Sequence, residues 1–163
     1  MNITLIGMPG SGKSTVGLAL ARSASMRFVD VDKVIIEKTG HTLAEIIDAE
    51  GDDGFRQVEN RINAELDVRN SVIAPGGSVI YGEEAMDHLR QISTVVYLKV
   101  SQRELETRLG DLHARGVSIL PGQTFGDLYN ERVPLYEKYA HIAISAEGRS
   151  VNDVVAEIKL LVK

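Results

Sequence analysis

Cysteine is absent from the 163 residues of the sequence. This absence excludes disulfide bonds and thiolate metal sites, and it suits a protein of a reducing compartment. Long hydrophobic runs are missing too. The apolar run Ile3–Ile6 is too short for a signal peptide and has no basic start, and no later run reaches the ~18 apolar residues of a membrane-spanning helix. We therefore expect a cytoplasmic protein that does not bind membranes.

An excess of basic charge is also missing. The 18 Lys and Arg residues are outnumbered by 23 Asp and Glu residues, so the net charge is −5. A protein that follows a nucleic-acid backbone normally has a basic excess on at least one face, so we expect a small-molecule partner and no nucleic acid. With 44% hydrophobic residues and no linker or repeat, residues 1–163 are predicted to form a single domain, and we expect a monomer.

Strand-like and helix-like segments alternate along the chain. The strand candidates are short apolar runs rich in β-branched residues: Ile3–Ile6, Phe28–Val29, Ser71–Ala74, Thr94–Leu98 and Ile142–Ile144. The candidate helix starts are hydroxyl residues followed three positions later by a carboxylate: Thr42, Ser101 and Ser150. Gly51 is a candidate helix stop. This alternation predicts an α/β fold of three layers, α/β/α, with a five-stranded parallel sheet.

A glycine-rich segment directly follows the first predicted strand. Gly7, Gly12, Lys13 and Ser14 match the pattern G-x-x-x-x-G-K-[ST], and an apolar helical stripe follows. In this motif the main-chain N–H groups bind phosphates, Lys13 spans the β and γ phosphates, and the Ser14 hydroxyl ligates Mg²⁺. A dinucleotide fingerprint is the weaker alternative, since Thr15 stands where its third glycine belongs. The predicted nucleotide-binding residues are Gly10, Ser11, Gly12, Lys13, Ser14 and Thr15.

Two aspartates follow the second predicted strand. They bear on the reaction, because a phosphate loop alone does not distinguish a kinase from a GTPase switch or a transport ATPase. If the extended geometry of the strand continues, Asp30 and Asp32 point to the same side, at a sheet edge where ligands bind. One could hold a metal-bound water and the other could orient an attacking hydroxyl. The alternative is that they cap a helix that begins near Lys33.

Two arginines lie beside apolar helical stripes. Arg56 is one turn from Glu59, which could fix its direction, and a surface ion pair between the two is the alternative. Arg132 lies on the apolar face of a second helix, where a charge is costly unless it is paired or faces a cavity. Pro134 is expected to bend or end that helix. Two arginines presented by separate helices could bind one carboxylate.

Two glycine-containing segments complete the candidate site. Gly76 and Gly77 follow the strand Ser71–Ala74, and they either form a simple turn or let a ligand approach the main chain closely. Residues 110–122 contain three glycines and a proline, with Arg115 in their middle. This segment is either a surface loop or a lid that closes over bound phosphates.

Taken together, these segments resemble the shikimate kinase family. The resemblance covers nearly the whole chain: the phosphate loop at 7–15, FVDVDKVIIEKTG at 28–40, GDDGFRQVE at 51–59, GGS at 76–78 and ERVPLYEKYA at 131–140. It implies a P-loop kinase, similar in fold to nucleoside monophosphate kinases, that uses ATP and Mg²⁺ to phosphorylate the 3-hydroxyl of shikimate in aromatic amino-acid biosynthesis. The family usually has a third glycine where this chain has Ser78, and its lid arginine is usually followed by proline, where this chain has Gly116.

The resemblance implies roles on the acceptor side of the site. Asp32 would hold the substrate's hydroxyl groups, while Arg56 and Arg132 would bind its carboxylate. The main chain at Gly76 and Gly77 would contact its ring. The substrate-binding helical part then spans about residues 32–62, which include both Asp32 and Arg56.

On the donor side, the resemblance places Asp30 near Mg²⁺ and makes Arg108 and Arg149 the pair around adenine. A lid at about residues 110–122 would bring an arginine to the phosphates, so that catalysis consists mainly of positioning and charge neutralisation. The catalytic candidates are Lys13, Asp32 and Arg115. The alternatives are a related kinase of another hydroxylated acid or amino acid, such as homoserine or gluconate, and a non-catalytic nucleotide-binding regulator.

Overall fold

The computed structural model describes residues 1–110 and 122–162, and across these ranges a five-stranded parallel β-sheet forms the centre of the protein. The strands are β1 (Ile3–Ile6), β2 (Arg27–Asp30), β3 (Ser71–Ala74), β4 (Thr94–Lys99) and β5 (Ile142–Ser145). They lie in the order β2-β3-β1-β4-β5, and neighbouring strands run parallel. The predicted fold class and the predicted strands are confirmed.

Helices connect these strands and cover the sheet. In the described ranges they are α1 (Lys13–Ser23), α2 (Val31–Thr39), α3 (Leu43–Ala64), α4 (Glu83–Ile92), α5 (Gln102–Leu109), α6 (Phe125–Tyr139) and α7 (Val151–Leu161). A 3-10 turn, Gly77–Tyr81, follows β3. Helix α1 contacts α7, whereas α3 contacts α2 and α4, in agreement with helices on two faces of the sheet. None of the described helices is both long and apolar enough to cross a membrane.

Hydroxyl side chains cap the starts of several helices. Thr42 and Glu45 form a reciprocal capping box at α3, with N···O distances of 2.9 and 3.1 Å. Ser101 and Ser150 accept hydrogen bonds from the main chain three residues on, at α5 and α7. The three predicted helix starts are therefore confirmed. Helix α6 has a capping box that we did not predict, formed by Thr124 and Asp127.

Three local predictions need correction or refinement. Gly51 has φ 75° and ψ 177°, so it interrupts the helix as expected, but helical structure resumes directly after it and α3 continues to Ala64. Pro134 does not end α6, which continues to Tyr139. The helix predicted to begin near Lys33 begins at Val31, because Asp30 is its N-cap and accepts a hydrogen bond from the Asp32 N–H.

The order of the strands brings three loops to one edge of the sheet. Strands β2 and β3 lie on one side of β1, and β4 and β5 lie on the other side. Ligands of open parallel sheets bind outside the carboxyl ends of the strands, at the point where the strand order reverses. The loops that follow β1, β2 and β3 meet there, and the buried strand residues beneath them hold them in place.

The capping box of α6 provides a test of how this helix is anchored. Replacing Thr124 with Ala removes the acceptor for the Asp127 N–H, so the free energy of unfolding should fall by about 1 kcal/mol in urea denaturation. Thr107→Ala is the matched control, because its exposed hydroxyl only returns to the Arg103 carbonyl within α5. Equal stabilities of the two variants would contradict a capping role for Thr124.

Candidate active site

A cavity of about 410 Å³ opens at the edge of the sheet where these loops meet. Its walls come from the phosphate loop, the start of α2, the middle of α3, the segment after β3, and α6. A second cavity, of about 360 Å³, shares Gly10, Lys13 and Ser14 with the first. The two cavities therefore meet at the predicted phosphate loop, as a donor site and an acceptor site of group transfer should.

The phosphate loop depends on glycine at two positions. Gly10 and Gly12 have φ values of 84° and 100°, in the left-handed region that favours glycine. A Cβ atom on Gly10 would also lie 3.0 Å from the Leu109 Cδ2 atom. Gly12 is the N-cap of α1 and offers no side chain to the first N–H groups of the helix, whose residues line the second cavity. The hydroxyl of Ser11 is buried and has no hydrogen-bond partner among the described residues.

Lys13 lies at the junction of the two cavities. Its ammonium group donates hydrogen bonds to the carbonyl oxygens of Gly7 and Met8, at 2.7 and 2.9 Å. The pKa of Lys13 is lowered to about 8, because burial and the nearby guanidinium of Arg132 outweigh the opposing effect of the Asp32 and Glu59 carboxylates. Lys13 thus joins the loop to the charged groups of the larger cavity.

The second cavity receives one of the two arginines predicted to surround adenine. Arg108 lines it together with Thr15, and its guanidinium donates to the Gly10 carbonyl at 3.2 Å. Arg149 lines neither cavity; it bonds to the Ser145 carbonyl at 3.0 Å and to Glu157 at 2.6 Å. Arg115, Gly116 and almost all of the predicted lid at about 110–122 lie outside the described residues.

The two aspartates after β2 both line the larger cavity. The expectation that strand geometry would align them is wrong, because β2 ends at Asp30 and α2 begins at the next residue. They approach through a turn instead, in which Asp30 Oδ1 accepts the Asp32 N–H at 3.1 Å. Burial raises the pKa of Asp32, the Asp30 carboxylate raises it further, and Lys13 opposes the shift.

Oxygen donors for a magnesium ion are present in this cavity. Ser14 and Asp30 both line it, and hydroxyl and carboxylate oxygens are ligands that Mg²⁺ prefers. The described part of the chain holds no group of three or more carboxylates or histidines that could bind a metal alone. The donor set therefore fits a magnesium ion that takes its remaining ligands from phosphates and water, as is usual at nucleotide sites.

Arg132 is the most buried arginine of the cleft. Its side chain is 3% exposed, and it lines the larger cavity with its Nε atom unpartnered among the described groups. A Cβ atom on Gly77 would lie 3.2 Å from its Nη1 atom, so the guanidinium passes close to the main chain there. Tyr136 fixes this contact by donating a hydrogen bond to the Gly77 carbonyl at 2.6 Å. Of the two alternatives for Arg132, a paired charge or a charge that faces a cavity, the structure shows the second.

Arg56 meets Arg132 at the ring of Tyr81. The Arg56 guanidinium carbon lies 4.0 Å from the centre of this ring, and that of Arg132 lies 5.5 Å from it. Arg56 does not itself line the larger cavity, although its neighbour Phe55 does. The structure therefore brings the two predicted arginines to one aromatic ring, with Arg132 lining the cavity and Arg56 outside its lining.

Glu59 is a site residue whose role sequence reasoning mistook. The alternatives were that it orients Arg56 or forms a surface ion pair with it, but Glu59 is 2% exposed and accepts a hydrogen bond from the Ser78 hydroxyl at 2.6 Å. The pKa of Glu59 is raised to about 7, because burial, aided by the Asp32 carboxylate, outweighs the opposing bond from Ser78 and the nearby arginines. Its spacing carried the signal, because Glu59 stands four residues after Phe55 and three before Ile62, on the apolar stripe itself.

The raised pKa of Glu59 predicts a specific pH dependence of stability. The unfolded chain loses this proton near pH 4.5 and the folded protein near pH 7, so the contribution to the free energy of unfolding is full below pH 4.5 and is lost as the pH rises to 7. Glu59→Gln has no carboxyl group to ionise, so its free energy of unfolding does not fall in this way. Relative to the wild type, the free energy of unfolding of the variant should rise by roughly 1–3 kcal/mol between pH 4.5 and pH 7, measured by urea denaturation.

The control for this measurement is Glu37→Gln, which removes an exposed carboxylate of α2. The stability difference between wild type and Glu59→Gln should grow between pH 4.5 and pH 7 beyond that of the control. A difference that stays constant over this range would contradict a raised pKa at Glu59.

Comparison with known proteins identifies a family for this fold and cleft. The family model described as "Shikimate kinase" matches residues 9–163. A shikimate kinase of Paracidovorax citrulli is 37% identical over 98% of this chain and 91% of its own. The structure of an Acinetobacter baumannii shikimate kinase in complex with shikimate has a TM-score of 0.89 at 34% identity, covering 98% of this chain and 91% of that one.

A more distant structural neighbour is a gluconokinase of Sinorhizobium meliloti. It has a TM-score of 0.61 at 21% identity and covers 99% of this chain and 93% of that one. At this identity the likeness reports the fold alone. Among the predicted alternatives, gluconate therefore gains no support as a substrate from this neighbour.

Proposed function

The chain belongs to the shikimate kinase family and is an ATP-dependent phosphotransferase with an alcohol acceptor, and we propose that it phosphorylates the 3-hydroxyl of shikimate in the two joined cavities. One observation carries the assignment of the site: a buried arginine, Arg132, and an aspartate, Asp32, line the same cavity as Lys13 of the phosphate loop. A carboxylate receptor, a hydroxyl receptor and a phosphate receptor therefore border one space of about 410 Å³.

The donor side of the proposed site is the second cavity. Main-chain N–H groups at the start of α1 bind the phosphates of ATP, and the helix dipole adds to the attraction. Lys13 moves its hydrogen bonds from loop carbonyls to the transferred phosphate. Ser11 contributes a hydroxyl, Thr15 lines the same cavity, and Arg108 binds the nucleotide beyond the phosphates. Arg149 remains a proposal for the outer part of the nucleotide site.

Ser14 and Asp30 would hold a magnesium ion at the junction of the cavities. Bound there, the ion supplies positive charge that neutralises the phosphate oxygens. The protein's own contribution to this positive charge is Lys13. Arg115 of the lid is predicted to add a second cation, and it lies outside the described residues.

The acceptor side is the larger cavity. Arg132 binds the carboxylate of shikimate, and Arg56 adds a second guanidinium from α3. Gly76 and Gly77 keep the floor free of side chains, because a Cβ atom on Gly76 would lie 2.9 Å from the Glu59 Oε2 atom and 3.2 Å from the Asp32 Oδ1 atom. The ring of the acceptor lies on this floor, and its 3-hydroxyl points to Asp32.

Catalysis in this arrangement is mainly positioning. Asp32 orients the 3-hydroxyl and receives its proton as the oxygen attacks the γ-phosphate, and burial supports this role by raising the pKa of the carboxyl group. The transition state of phosphoryl transfer spreads negative charge over its equatorial oxygens, so cations held in place beforehand lower the barrier. The substrate-binding part at about residues 32–62 and the lid at about 110–122 belong to this proposal.

An acceptor panel tests the substrate. Release of ADP is measured with shikimate, homoserine and gluconate at equal concentrations, and shikimate should give a kcat/KM at least about 100-fold above the others. All three carry a carboxylate and a hydroxyl, but only the ring of shikimate holds the two groups at a fixed separation, so it loses less conformational entropy on binding between Arg132 and Asp32. A higher kcat/KM for another acceptor would contradict shikimate as the substrate. ADP release that no acceptor stimulates would favour the nucleotide-binding regulator.

Lys13 provides the test of the donor side. Lys13→Met removes the cation that spans the phosphates, so turnover of shikimate should fall by about 100-fold or more while the fold is retained. Lys159→Met is the matched control, since this lysine bonds to Ser23 between α7 and α1, away from both cavities. Turnover of Lys13→Met near that of Lys159→Met would exclude the proposed role.

The remaining predictions concern the cell and the assembly. We expect a cytoplasmic location, which the absence of cysteine supports, and no nucleic-acid partner, which the net charge of −5 supports. The monomeric state and the absence of membrane binding stay predictions. These parts of the proposal are independent of the chemistry of the cleft.

A further inference from the structure

Tyr81 connects the two arginines that we assign to the carboxylate of the acceptor. It ends the 3-10 turn that begins at Gly77, and its ring carries the Arg56 guanidinium at 4.0 Å and the Arg132 guanidinium at 5.5 Å. Its hydroxyl donates a hydrogen bond to Glu131 Oε2 at 2.5 Å. The 3-10 turn, α3 and α6 therefore meet at this one side chain.

We propose that Tyr81 is a positioning residue for acceptor recognition, which holds Arg56 and Arg132 in the arrangement that binds a carboxylate. This inference rests on the proposed function, since it presupposes that the two guanidinium groups bind the acceptor. Tyr81 acts through the arginines and does not contact the reacting atoms. It is therefore expected to affect the affinity for the acceptor more than the rate of phosphoryl transfer.

The physical basis is the attraction between cations and an aromatic face. Two guanidinium groups repel each other, and Arg132 is almost fully buried, so repulsion is only weakly screened there. The negative face of an aromatic ring attracts a guanidinium without neutralising it. The ring of Tyr81 thus holds both groups close together while leaving their positive charge available to an anion.

The ion pairs of the described residues support this reading. Four pairs lie within 4.0 Å, and none of them involves Arg56 or Arg132. A carboxylate of the protein in contact with either guanidinium would compete with the carboxylate of the acceptor. Tyr81 avoids this competition, because it places an aromatic ring and no carboxylate beside the two guanidinium groups, and the Nε atom of Arg132 has no hydrogen-bond partner among the described residues.

The bond from Tyr81 to Glu131 fixes the ring relative to α6. Glu131 directly precedes Arg132, so one residue of α6 holds the tyrosine and the next lies near its ring. Tyr136, one turn further along α6, bonds to Gly77 at the other end of the 3-10 turn. The turn is therefore tied to α6 at both ends, which sets the distance between the ring and Arg132.

The test compares Tyr81→Leu with the wild type in steady-state assays. Loss of the ring should raise the KM for shikimate roughly tenfold, with kcat and the KM for ATP changed by less than about twofold. Tyr139→Leu is the matched control, because Tyr139 is also a ring beside a cation, Lys138 at 5.0 Å, whereas the cations beside Tyr81 are Arg56 and Arg132. An unchanged KM for shikimate in Tyr81→Leu, or an equal change in Tyr139→Leu, would overturn the inference.

A second series starts from Tyr81→Phe, which lacks the bond to Glu131, and then changes only the electrostatics of the ring. Position 81 is replaced by phenylalanine and by phenylalanines with one, two and three ring fluorines, which progressively weaken the negative face. The logarithm of the KM for shikimate should rise steadily along this series. A purely structural ring predicts no trend, so a flat series overturns the inference even if Tyr81→Leu fails to fold.

Two arginine variants separate failure of this inference from failure of the proposed function. Arg132→Met and Arg56→Met should each raise the KM for shikimate, and Tyr81→Leu should add little in the Arg56→Met background because the two side chains act together. If the arginine variants leave the KM unchanged, the carboxylate site itself is wrong and the inference falls with it. If they raise it while Tyr81→Leu and the fluorinated series do not, only the role of Tyr81 is overturned.

Discussion

Two cations, Lys13 and Arg132, face the carboxylates of Asp32 and Glu59 across one cavity, and the rest of the cleft depends on this balance. Charges removed from water are costly unless opposite charges lie nearby. The pKa shifts record the attraction between opposite charges: Asp32 and Glu59 oppose the lowering of the Lys13 pKa by burial, and Arg132 opposes the raising of the Glu59 pKa by burial. The four groups come from α1, α2, α3 and α6, so their mutual attraction also ties together the elements that surround the cleft.

Much of the fold could be predicted from local sequence. Strands buried on both faces appear as continuous β-branched runs, and β1 and β3 begin and end where those runs do. Helix starts are equally local, since a hydroxyl and a carboxylate three residues apart satisfy each other's main chain. The Thr124 and Asp127 pair has the same spacing, and it escaped prediction because the glycine-rich segment before it obscured where α6 begins. The phosphate loop was predictable because its motif occupies one short, contiguous stretch of the sequence.

The acceptor side was less accessible to sequence reasoning. Arg56 and Glu59 are one helical turn apart, which suggests a partnership, yet each finds its partner elsewhere in the chain: Arg56 at Tyr81, and Glu59 at Ser78. These contacts depend on how the segment after β3 passes over α3, and no local pattern encodes that path. The placement of the two aspartates was also mispredicted from sequence, because the pattern does not show whether the strand continues past Asp30. The capping bond from the Asp32 N–H to Asp30 ends the strand and begins the helix there.

The glycine floor of the larger cavity has a consequence for inhibitor design. At Gly76 and Gly77 the cleft presents only main-chain atoms, and even a methyl group would come within about 3.2 Å of a charged side chain. A compound resting on this surface would therefore contact atoms that no substitution can remove. A bulkier residue at either position would disturb Glu59, Asp32 or Arg132, so a substitution that blocks the inhibitor would also impair the enzyme. Resistance is therefore least accessible at this floor.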